Sequence, residues 1–159
     1  MPELNLLHIL TPILAAGCFY FARWEVPRRT IRPKRLFWAP LLGGAAAVLL
    51  MFFQIGTRQP LWPFPVALLL GLSAGIARGL TMQLEVDEYW LVVRPFGRRV
   101  LLWVGSLLVL AVAIDIAGAV VGPDGRQVRY GAALVAVACA AALFGRALAI
   151  AGRVRRLGS

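Results

Sequence analysis

Few residues in this chain can do chemistry, and their spacing limits what that chemistry is. Asp115 is the one acid set well inside an apolar run, VLAVAIDIAGAV. A carboxylate there is costly to leave alone in hydrocarbon, so it either moves protons or solute or ties two helices together. His8 lies in a second run, LNLLHILTPIL, with Pro12 four residues on. Pro12 lacks the N–H that would bond the His8 carbonyl, so a kink is expected, with Asn5, His8 and Thr11 around a freed acceptor. At ~1.5 Å per residue His8 and Asp115 fall roughly 6 and 10 Å inward from the ends of their runs. They are therefore the candidate intramembrane polar pair, provided that their helices are neighbours. A single histidine also fits a structural role.

The remaining reactive side chains exclude more than they suggest. Cys18 and Cys139 both sit inside apolar runs, with no CxxC and no metal-ligand spacing. With one histidine in 159 residues, neither a metal site nor a dithiol of neighbouring cysteines is expected, and the thiols read as small apolar fillers. No Gly-rich phosphate loop, catalytic triad or acid pair in a soluble pocket is present, so no catalytic residue and no cofactor is assigned.

These residues must be positioned by a membrane architecture. Hydrophobic residues make up 60% of the chain against 15% charged, with a mean hydropathy of +0.79, too few charges to cover a soluble core. The charges fall between long apolar runs, which is bilayer patterning. The net charge of +10 therefore reads as topogenic; no basic domain with interleaved aromatics is formed, and nucleic acid is not an expected partner. The first run is no signal peptide, because its bases follow the apolar stretch instead of preceding it.

The expected fold is an all-α polytopic membrane protein, one domain over 1–159. Five transmembrane helices are placed at about 4–22, 36–55, 61–77, 100–122 and 131–151. The third run starts with Pro63 and Pro65, so a tilted or partly re-entrant segment is an alternative there. Between the third and fourth spans, residues 78–99 read as a short cytoplasmic β-hairpin with strands Thr81 to Val86 and Tyr89 to Arg94 around Asp87 and Glu88.

Orientation follows from the bases. One side receives Arg23, Arg28, Arg29, Arg32, Lys34 and Arg35, then Arg78, Arg94, Arg98 and Arg99, then Arg146, Arg153, Arg155 and Arg156. The other side receives only Arg58, Arg126 and Arg129. The positive-inside rule then puts the N-terminus outside and the C-terminus in the cytoplasm. Arg28, Arg29, Arg32, Lys34 and Arg35 are expected on anionic headgroups at the cytoplasmic face. Arg78 and Arg146, near helix ends, are expected to snorkel outward. Trp24, Trp38, Trp62, Tyr89, Trp90, Trp103 and Tyr130 fall near the expected boundaries, as an interfacial belt requires.

Gly71, Gly75 and Gly79 follow a GxxxGxxxG spacing, which strips one helix face of side chains and lets another helix approach. That helix belongs either to this chain or to another copy.

In its order of features the stretch from about Arg28 to Gly122 resembles the CcdC-like family of bacterial membrane proteins, a group associated with cytochrome c biogenesis. The resemblance rests on IRPKR (Ile31 to Arg35), a Gly-rich span ending at Arg78, LEVD (Leu84 to Asp87) and LVVRPFG (Leu91 to Gly97). It implies no catalytic residues. The expected function is a non-enzymatic accessory or assembly protein with a membrane-protein partner or self-association, possible neighbours being cytochrome or thiol-redox biogenesis proteins. A small transporter or channel subunit using Asp115 is the alternative, and an intramembrane enzyme ranks third.

Overall fold

The computed structural model describes residues 6–25, 36–55, 59–82, 84–87, 92–95, 99–122 and 125–157. They form five helices: α1 (Leu6–Glu25), α2 (Trp38–Gln54), α3 (Pro63–Thr81), α4 (Arg99–Val121) and α5 (Arg126–Leu157). Pro63 opens α3 at a position where a missing N–H costs nothing. The α3 helix ends with the Thr81 hydroxyl donating to the Arg78 carbonyl, 3.1 Å away. Gly122 closes α4 in the left-handed region, φ +86°, as expected of the residue just beyond a helix. The Gly125 N–H then donates to the Gly122 carbonyl at 3.1 Å, making a short turn into α5.

Contacts fix the helix directions. In α1 and α2, His8 faces Phe53 and Phe21 faces Trp38, so the two helices are antiparallel. Across α3 and α5, Pro60 meets Tyr130 and Gly79 meets Arg153, so these run parallel. Asp115 opposite Arg129 and Gly118 opposite Gly125 make α4 and α5 antiparallel. Helix α2 is also antiparallel to α5, since Gly43 faces Leu143 while Leu36 packs with Ile150 and Val154. The five helices therefore alternate in direction, and Arg23, Arg78, Arg99, Arg155 and Arg156 gather at one end of the bundle.

Helix α5 is the hub, touching α2, α3 and α4, while α1 packs on α2 and α4. Its alanines Ala132, Ala133, Ala136 and Ala140 are buried; small side chains let three neighbours come close to one axis. The main core joins Cys18, Ala47, Leu50, Leu108, Val112 and Leu143. A second cluster at the arginine-rich end joins Leu36, Met82, Ala147, Ile150 and Val154.

Two expectations about the fold are corrected. Instead of five transmembrane helices, three of the described helices are long and apolar enough to cross a membrane: Pro63–Thr81, Arg99–Val121 and Arg126–Arg156. Helix α2 is apolar but has 17 residues, about 26 Å of helix against a hydrocarbon core of about 30 Å. Helix α1, Leu6–Glu25, is not among the three. The third run, by contrast, is one continuous helix of 19 residues.

The expected β-hairpin over 78–99 does not form as drawn. Residues 78–81 belong to α3 and Arg99 belongs to α4. Between them are two four-residue segments, Leu84–Asp87 and Val92–Pro95, with Asp87 opposite Val92 instead of in the turn. The buried seam at Gly79, described below, carries α3 to Thr81, the first residue of the expected strand, against the low helix propensity of Gly and Thr.

Candidate functional site

The charged centre of the bundle lies between α4 and α5. Asp115 is 1% exposed, and its Oδ1 accepts a hydrogen bond from Arg129 Nε at 3.1 Å. The two residues stand seven positions before and seven after Gly122, so the tight α4–α5 turn brings them level. Gly118, one turn beyond Asp115, gives the arginine its path: a Cβ there would lie 2.5 Å from Arg129 Cγ. On the same seam, a Cβ on Gly125 would strike the Gly118 carbonyl. Two glycines thus let the backbones close, and the arginine stem crosses α4 to reach the acid. A buried carboxylate with a guanidinium partner satisfies both the charge and the donor requirement of burial.

The proposed partner of Asp115, His8, is elsewhere. Its ring stacks on Phe53 of α2, centroids 4.3 Å apart and planes inclined by 16°, and its buried Nδ1 has no hydrogen-bond partner. The condition for pairing is met, because α1 and α4 are neighbours through Phe19, Ala22 and Gly105. The pairing itself is not made, since His8 turns toward α2 while Asp115 turns toward α5. Pro12 does free the His8 carbonyl, and the Thr11 hydroxyl donates to it at 3.2 Å.

Gly71, Gly75 and Gly79 lie against α5 of the same chain. A Cβ on Gly71 or Gly75 would strike the Ala138 or Ala142 carbonyl oxygen, and one on Gly79 would lie 2.6 Å from Ala149 Cβ. Gly145 of α5 answers from the other side, lying against the Leu72 carbonyl. Tyr130 fastens the far end of this seam: its hydroxyl donates to the Pro60 carbonyl at 2.6 Å, and its ring meets Phe64 edge to face. Arg146, expected to snorkel, is instead buried beside Gly79 and 7% exposed. Arg78 is exposed.

Cys18 and Cys139 are buried and free, and Gly43 leaves room for the Cys18 sulfur. Among the described residues no group of three His, Cys, Asp or Glu could hold a metal ion. Arg28, Arg29, Arg32, Lys34 and Arg35 lie outside the described residues.

Sequence reasoning missed Arg129, which it assigned to a turn and counted as a topogenic charge. Its mirror position across Gly122 from the acid set inside an apolar run was the available signal. Comparison with protein-family models, with curated proteins and with solved structures found no match.

Proposed function

We propose that the protein is a non-enzymatic membrane scaffold, an accessory or assembly component of a bacterial cytoplasmic membrane that works by holding a partner. The observation that carries this reading is the commitment of Asp115 to Arg129. The acid that a transporter would use for proton or solute movement is engaged in joining α4 to α5. That favours the helix tie over the carrier.

In this reading α3 is the presenting helix. Among the helix pairs in substantial contact it meets α5 alone, and 22% of its apolar window is buried. Its outer face, with Leu69, Leu70 and Leu80 exposed, is free for a membrane-protein partner or a second copy. The arginine-rich end of the bundle faces the cytoplasm, with the N-terminus outside, and its bases rest on anionic headgroups. In this reading the partner is sought among cytochrome or thiol-redox biogenesis proteins, on the resemblance of the sequence to the CcdC-like family.

Co-purification from native membranes in mild detergent tests this directly. A stoichiometric membrane-protein partner, lost on placing a bulky or charged residue at Leu70, is the expected result. A protein that purifies alone and supports Asp115-dependent flux in liposomes would instead make it a transporter.

A further inference from the structure

The C-terminal turns of α5 hold more of the structure than their charge suggests. Helix α5 has 32 residues, about 48 Å of helix, well beyond the ~30 Å of a hydrocarbon core. Its last turns therefore run past the apolar layer, yet they are not bare: Ala147, Ile150 and Val154 pack on Leu36, which leads into α2, and on Met82, which leaves α3. Beside this cluster stands the half-buried Arg153. Its Nη1 lies 3.2 Å from the Gly79 carbonyl, 3.1 Å from that of Leu80 and 2.6 Å from that of Met82.

The last carbonyls of a helix have no partner within it, and they carry the negative end of its dipole. Here one cationic nitrogen from a different helix meets three acceptors at the end of α3. Within α3 the Thr81 hydroxyl meets the Arg78 carbonyl one turn earlier, and the Arg78 side chain is exposed. The close approach that places Arg153 there is made upstream by Gly79, which lies against Ala149 and Arg146.

We propose that residues 147–157 form a clasp across the arginine-rich end of the bundle, with Arg153 as its latch, and that this clasp fixes where the chain leaves α3. Arg153 is then a positioning residue, committed inward to backbone carbonyls, whereas the exposed Arg155 is available to the membrane surface. The proposal does not depend on the scaffold reading. It requires only that the α3 end be held by a cation, and a charged donor to a backbone acceptor is stronger than a neutral one.

Hydrogen exchange read by mass spectrometry on the full chain in lipid nanodiscs tests the clasp. In Arg153→Met, amides of residues 79–82 are expected to exchange roughly tenfold faster or more, because that turn opens locally, while α4 and the middle of α5 keep their rates. Arg153→Lys is the second variant. An ammonium offers three hydrogens from one nitrogen against the two of Arg153 Nη1, so residues 79–82 should retain most of their protection. Arg155→Met should leave the pattern unchanged. Unchanged exchange at residues 79–82 in Arg153→Met would overturn the clasp. Equal acceleration in the Lys and Met variants would overturn the cationic latch and leave Arg153 as packing alone. Acceleration spread evenly over all five helices would also overturn it, since the device is local.

Discussion

Replacing Arg129 by Met removes the guanidinium and keeps the unbranched stem that Gly118 accommodates, so it isolates the ion pair from the packing. Asp115 is 1% exposed and its partner nitrogen is 3.1 Å away. At that distance the direct attraction is about 5 kcal/mol for an effective dielectric of about 20. The net value is smaller, because both groups lose hydration and the Arg129 side chain is 22% exposed. Stranding a buried charge costs about 3–5 kcal/mol, and the partial exposure of this pair places Arg129→Met near the lower figure. Asp115→Asn keeps an acceptor for Nε and should cost about 1–2 kcal/mol, less than Asp115→Leu.

The double variant Asp115→Leu with Arg129→Met strands nothing, so its cost should fall below the sum of the two single losses. The coupling should be about 1.5 kcal/mol, in the upper part of the range for side-chain pairs within membranes. Reversible unfolding by SDS titration in mixed micelles, applied to all four proteins of the cycle, reads these numbers. Single effects that simply add, with coupling below about 0.3 kcal/mol, would refute the tie.

Three further outcomes concern α5, two of them on its seam with α3. Gly75→Ala should cost about 1–3 kcal/mol, because its methyl would strike the Ala142 backbone, which has no rotamer with which to yield. Gly131→Ala, with nothing within 4 Å, should be neutral or stabilise by up to about 1 kcal/mol in the same titration. Tyr130→Phe keeps the ring on Phe64 but loses the 2.6 Å hydrogen bond to Pro60, for a loss of about 1 kcal/mol. An unchanged Tyr130→Phe midpoint would show that the hydroxyl finds water equally well.

Helices were legible from apolar runs because hydrocarbon demands them, but their ends were not. Helix α5 starts at Arg126 instead of Gly131, since Arg126, Gln127 and Arg129 continue a helix that hydropathy cannot see outside the apolar layer. Helix α3 runs to Thr81 for the same reason. The small-residue face at Gly71, Gly75 and Gly79 was legible as a surface, while its partner helix was not, because spacing carries no address. The depths of His8 and Asp115 could be counted, but depth does not say which way a side chain turns around its helix. Arg129 and Arg153 were hidden by their own charge. A tally of bases along a chain treats every arginine alike, although these two are spent on a carboxylate and on helix carbonyls.

The most direct test of a membrane-embedded bundle asks whether the two ends of its hub lie on opposite sides of a bilayer. Asp124→Cys and Ser159→Cys flank α5, and Cys18 and Cys139 are buried, so a membrane-impermeant maleimide should read the introduced thiols. In intact cells with an accessible outer face, the cysteine at position 124 should label at once and that at 159 only after permeabilisation. Labelling of both positions from the same side would contradict a membrane-crossing α5 and the orientation built on it.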